Sequence, residues 1–148
     1  MDNIEKSRRV YMLEQDPDDR EITEVISRET DNDVQFTFFH DTHQFFEGLS
    51  QTDLLPDIIV LDYNLAGGEI IGVLRRLKST PGYLHIPVVV LSETASPSMV
   101  ADLYAHGAAS LIIKPFTNND TEHKISGFLD YWFRIVHLPS ASAKVLNG

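Results

Sequence analysis

Residues Ile58-Ile59-Val60-Leu61 form an unbroken apolar run that stops at Asp62. A run this short, bounded by turn residues, suits a strand buried on both faces, as in a parallel sheet covered by helices on each side. The same arrangement recurs along the chain. Val10-Tyr11-Met12-Leu13 runs into Glu14-Gln15-Asp16, Pro87-Val88-Val89-Val90-Leu91 ends at Ser92, and Leu111-Ile112-Ile113 ends at Lys114-Pro115. Val34 to Phe39 has the β-branched and aromatic content of a further strand.

Between these runs, apolar residues fall at helical spacing. Ile22, Val25 and Ile26 mark a first helix, with Asp16 able to cap it and Pro17 suited to its first position. Phe45, Phe46 and Leu49 mark a second, closed by the stretch from Ser50 to Pro56. Ile70, Ile71, Leu74 and Leu77 mark a third after Gly67-Gly68. Val100, Leu103 and Tyr104 mark a fourth, started by Ser96-Pro97 and ended by Gly107. A last helix is predicted from about Asn119 to Val136, and the small, polar stretch from Pro139 to Gly148 is predicted to fray.

Five β-then-α units predict an α/β fold: a doubly wound parallel sheet of five strands with right-handed crossovers. The length of 148 residues predicts one domain, and 43% apolar residues suffice for a real core. The net charge of −10 disfavours a nucleic-acid backbone as partner. No stretch approaches the roughly 20 apolar residues of a membrane span, and Met1 to Arg9 lack the apolar centre of a signal peptide. The absence of Cys excludes disulfides and zinc-thiolate sites and accords with a reducing, cytoplasmic setting.

In open parallel sheets, ligands bind at the carboxyl ends of the strands. Glu14, Gln15, Asp16, Asp62, Ser92 and Lys114 follow the first, third, fourth and fifth strands. With strand order 2-1-3-4-5 these ends are neighbours. Clustered acids with hard oxygen donors suit Mg²⁺. An Asp carboxylate can act as a nucleophile and form an aspartyl phosphate. A nearby Lys would neutralise the equatorial oxygens of the transferred group, and the Ser92 hydroxyl could hydrogen-bond it.

The chain resembles the receiver domain of bacterial two-component response regulators over about residues 8 to 137. The motifs are Leu13-Glu14-Gln15-Asp16-Pro17, Pro56-Asp57-Ile58-Ile59-Val60-Leu61-Asp62, Ile86-Pro87-Val88-Val89-Val90-Leu91-Ser92, Gly107-Ala108-Ala109 and Lys114-Pro115-Phe116. The resemblance implies a flavodoxin-like (βα)5 receiver over residues 8–137 and a flexible tail over 138–148. It also implies Asp62 as phospho-acceptor, Ser92 as switch hydroxyl and Lys114 as the lysine contacting phosphate. Mg²⁺ would be held by Glu14, Asp16, Asp62 and the Asn64 carbonyl, and the Lys114-Pro115 bond is a candidate cis peptide. Tyr131-Trp132-Phe133-Arg134-Ile135-Val136-His137-Leu138-Pro139 is similar to the ending of stand-alone receivers associated with phytochrome-type histidine kinases. A histidine kinase, with a phytochrome-type one as candidate, is therefore the expected partner.

Three positions depart from the family pattern. Receivers usually carry two adjacent acids after the first strand, and here the second is Gln15. Gln supplies a neutral carbonyl where a carboxylate would bind the metal, so weakened Mg²⁺ binding is expected. Asp16 is either the helix cap or a partial substitute. Leu111 stands where an aromatic ring is usual, and Ala66 where Pro is usual. These departures leave a second reading, a phosphorylation-independent pseudo-receiver that docks or dimerises. A metal-dependent phosphohydrolase would need a cap insertion that the chain lacks, and a flavin site would need a hydroxyl-rich first loop where this one is acidic. His40 and His43 have ligand spacing but no partner cluster, and Gly67-Gly68 is a turn without the Lys-Ser/Thr of a nucleotide loop.

At about 100° per residue, the apolar arc of the last helix from Tyr131 to Phe133 spans roughly 200°. One buried face needs a stripe of about 100° or somewhat more. The surplus predicts a partner surface of Phe128, Tyr131, Trp132 and Ile135, serving a homodimer or a docked kinase. The expected protein is therefore a signalling domain, not an enzyme acting on other substrates, with no nucleic-acid or membrane partner.

Overall fold

A computed structural model of the chain describes residues 8–14, 33–63, 69–114 and 118–139, with 118–121 as backbone only. Its strands are β1 (Arg8–Leu13), β2 (Val34–Phe39), β3 (Ile58–Asp62), β4 (Val88–Ser92) and β5 (Ser110–Ile113). Its helices are α1 (Thr42–Gln51), α2 (Glu69–Ser79), α3 (Pro97–Ala105) and α4 (Asn118–Asp130), the last running into a π-helical turn at Tyr131–Ile135. The helix expected around Ile22, Val25 and Ile26, the Asp16-Pro17 start, Gly67-Gly68 and the tail beyond Pro139 lie outside the described residues.

The five strands form one parallel sheet in the order β2-β1-β3-β4-β5, the flavodoxin-like order anticipated from the alternation of elements. The central β3 is buried at every position, which explains its unbroken apolar composition. Alternation along the strands divides the core. Tyr11, Leu13, Ile59, Leu61, Val88 and Val90 pack with side chains of α1, α2 and α3 on one face. Val10, Met12, Ile58, Val60 and Val89 pack with Phe128, Leu129, Trp132 and Phe133 on the other. Asp57 ties the start of β3 to β1: the Arg9 N–H donates to its carboxylate at 2.9 Å, and its own N–H donates to the Arg9 carbonyl at 2.8 Å.

Local signals account for the helix ends. Asp41 caps α1 by accepting from the Gln44 N–H, and Ser96 caps α3 by accepting from the Met99 N–H, with Pro97 following. Gly107, just past α3, has φ of +106°, and a Cβ there would lie 2.7 Å from Lys78 Cγ. The stem of Lys78 is held in place because its ammonium donates to the carbonyls of Leu84 and Ile86. Burial lowers the pKa of Lys78 below the usual lysine value. Gly107→Ala therefore adds backbone strain and a clash, and is expected to cost about 2 kcal/mol in urea unfolding. An unchanged midpoint would contradict this.

The last helix corrects the sequence reading. Val136 N–H donates to the Tyr131 carbonyl, five residues back, so the helix closes in a π-turn. Phe128 and Trp132, expected on the partner surface, are buried against the sheet with Leu129 and Phe133. Tyr131 and Ile135 are 50% and 67% exposed. The reason is angular. Phe128 to Phe133 cover about 140° of the apolar arc, and the sheet covers that part, leaving the remaining edge to Tyr131 and Ile135.

Candidate functional site

Strand register assembles the site. Leu13 pairs with Leu61, so Glu14 comes beside Asp62 one rung later. Asp62 pairs with Leu91, and Ser92 pairs with Ile113, so Ser92 and Lys114 follow at the same rim. The backbone continues the ladder here: Lys114 N–H donates to the Ser92 carbonyl at 2.7 Å, and Tyr63 N–H to the Leu91 carbonyl at 2.8 Å. Four separate stretches of chain thereby meet at the carboxyl end of the sheet.

Side-chain contacts confirm the convergence. Lys114 Nζ lies 3.3 Å from Asp62 Oδ1 and 3.6 Å from Glu14 Oε2. All four side chains sit in buried positions, at 0% relative exposure for Glu14, 3% for Asp62, 1% for Ser92 and 9% for Lys114. Polar residues this buried are tolerated when charge meets charge, and Lys114 supplies that here. Two carboxylates around one ammonium leave an excess of negative charge. The donor set is hard oxygen, so Glu14 and Asp62 fit a Mg²⁺ ion. Of the other expected metal ligands, Asp16 and Asn64 lie outside the described residues, as do Gln15 and Pro115. Among the described residues, no group of three or more His, Cys, Asp or Glu is placed to hold a metal.

Ser92 is at the rim, with its hydroxyl engaged locally. It donates to the Thr94 carbonyl at 2.6 Å and accepts from the Thr94 N–H at 3.2 Å. Such short-range Ser turns are common, so the spacing of Ser92 and Thr94 could have signalled this contact, although the sequence reading assigned Thr94 no role. Leu111 is partly buried and packs against the core, and its N–H donates to the Tyr104 hydroxyl at 3.1 Å. No local sequence signal pointed to that helix-to-strand bond.

A buried carboxylate paired with a lysine, beside a second carboxylate and a hydroxyl at parallel strand ends, is suited to binding a phosphoryl group. Residues 10–126 match the model described as "Response regulator receiver domain". The chain belongs to the response regulator receiver family. Its place is thus in two-component signalling, among domains that signal and do not act as conventional enzymes. Chemotaxis protein CheY-3 of Vibrio cholerae is 25% identical over 91 residues, 59% of this chain and 70% of that protein. Response regulator Rcp1 of Synechocystis is 30% identical over 86 residues, 58% of each chain. In fold, this receiver is similar to the phosphorylated cyanobacterial phytochrome response regulator RcpA, with a TM-score of 0.83 at 23% identity, covering 90% of this chain and 99% of RcpA. It is also similar to the Mn²⁺-bound form of Rcp1, with a TM-score of 0.81 at 22% identity, covering 90% of this chain and 99% of that one. No helix among the described residues is long and apolar enough to cross a membrane.

Proposed function

We propose that this receiver accepts a phosphoryl group from a histidine kinase on Asp62 and signals through protein–protein contacts. The observation that carries this reading is the 3.3 Å contact of Lys114 Nζ with Asp62 Oδ1 inside a buried acidic rim. A carboxylate oxygen of Asp62 attacks the phosphorus of a kinase phosphohistidine. The P–O bond forms as the P–N bond breaks, and the imidazole leaves with the bonding electron pair. Lys114 faces the transferred oxygens and offsets their charge, and the Ser92 hydroxyl is within reach of the same rim. A bound Mg²⁺, with Glu14, Asp62, Asp16 and the Asn64 carbonyl as proposed ligands, would supply charge neutralisation at the phosphoryl oxygens.

The name of one similar structure, the cyanobacterial phytochrome response regulator RcpA, supports a phytochrome-type kinase as partner. The net charge of −10 supports protein over nucleic-acid partners, and the lack of Cys supports a cytoplasmic setting. Incubation with acetyl phosphate and Mg²⁺, followed by intact-mass measurement, tests the central reading. Gain of one phosphoryl group is expected, and no gain would favour the pseudo-receiver, the reading that Gln15 and Leu111 support.

Two further outcomes are expected. Gln15→Asp adds a carboxylate beside the proposed metal position. It should tighten Mg²⁺ binding by about ten-fold or more, since an opposite charge a few ångströms away contributes on the order of 1–4 kcal/mol. Phosphorylation should speed up accordingly, and equal rates in both proteins would refute the argument from Gln15. The exposed pair Tyr131 and Ile135 supports a homodimer through the end of α4. Sedimentation should show a dimer that Ile135→Glu converts to monomer. A wild-type monomer at high concentration would remove the dimer from the proposal.

A further inference from the structure

Strand β5 is an edge of the sheet, and outward-facing backbone groups on an edge normally need covering. Side chains of the flanking helices take two of them. The Leu111 N–H donates to the Tyr104 hydroxyl from the last turn of α3, and the Lys124 ammonium of α4 donates to the Ile113 carbonyl at 2.7 Å. Tyr104 is nearly half exposed, so its hydroxyl bond, more than burial, fixes it to the strand. Helix α3 is lightly anchored: among the described residues it buries Leu103 alone, whereas α1 buries three side chains and α2 four.

The other end of α3 leads to the site. Thr94 stands between Ser92 and the Ser96 cap, and its carbonyl takes the one proton of the Ser92 hydroxyl. A hydroxyl has a single proton to donate. If Ser92 gives it to a phosphoryl oxygen on Asp62, the Thr94 carbonyl loses it, and the turn that leads into α3 must rearrange.

We propose that the Tyr104 hydroxyl is a releasable tether between α3 and β5, let go when Ser92 turns to a phosphoryl group on Asp62. This rests on the phospho-acceptor reading and names the contact through which that event reaches the sheet edge. A nine-residue helix is a short stiff rod, so displacement at Pro97 carries to Tyr104. Leu111 has no hydroxyl of its own, and the bond comes from the helix instead.

Amide hydrogen exchange on the full chain tests this. In unphosphorylated protein, Tyr104→Phe should speed exchange at Leu111 about five-fold, the effect of one lost hydrogen bond. The Ala109 amide, which donates to the Val88 carbonyl, should keep its rate. Acetyl phosphate with Mg²⁺ should bring wild-type Leu111 to the rate of the variant, while intact mass reports the phosphoryl group independently. Equal Leu111 rates in the two unphosphorylated proteins would overturn the tether. A gained phosphoryl group with unchanged Leu111 exchange would overturn its release. Absence of the phosphoryl group would overturn the phospho-acceptor reading and the release with it, and the unphosphorylated comparison would still decide the tether.

Discussion

Asp62→Asn should abolish phosphoryl uptake completely. The amide has nearly the same shape as the carboxylate but lacks the anionic oxygen that attacks phosphorus. Wild-type protein treated with acetyl phosphate and Mg²⁺ should gain one phosphoryl group by intact mass, and the variant none. The fold should survive, because Asp62 ends a strand whose packing is carried by Ile58 to Leu61. Stability should rise slightly. Glu14 and Asp62 both lie close to the same ammonium, and removing one buried charge leaves a balanced pair. A phosphoryl group retained in Asp62→Asn would place the acceptor elsewhere.

Lys114→Met has the largest expected effect on stability. The ammonium lies between two carboxylates that are almost wholly buried, and methionine fills similar volume without the charge. Removing one partner of a buried ionic group typically costs about 3–5 kcal/mol, because the charge left behind stays desolvated. Urea unfolding at neutral pH should show a loss of that order. Phosphoryl uptake should also slow, since no cation would then face the transferred oxygens from β5. An unchanged unfolding midpoint would mean that Lys114 contributes little to holding the rim together.

Much of the fold was legible because strand burial writes itself into composition. β2 runs from Val34 to Phe39 as read, and β3 ends at Asp62 and β4 at Ser92 as expected. A strand covered on both faces needs apolar residues along its length, and the polar residue that closes such a run marks the strand end at the rim, although Asp62 and Ser92 are themselves buried there. The start of α3 was legible for a different reason: Ser96 and Pro97 carry capping chemistry in their own side chains. The last helix was less legible. Its spacing placed eight apolar residues on one arc, yet Phe128 and Trp132 proved to be core while Tyr131 and Ile135 stayed exposed. Helical periodicity specifies an angle around the axis and not the direction in which the sheet lies.

The site divides in the same way. That Asp62, Ser92 and Lys114 close three apolar runs can be read residue by residue, and parallel strands bring such ends to one side whatever the details of packing. Tertiary structure alone decided that Lys114 Nζ sits nearer Asp62 than Glu14, that Ser92 spends its proton on Thr94, and that Tyr104 reaches across to Leu111. Burial patterns are properties of each segment and survive in its composition. A hydrogen bond between segments depends on register, helix placement and rotamer together, and no single stretch of sequence contains all three.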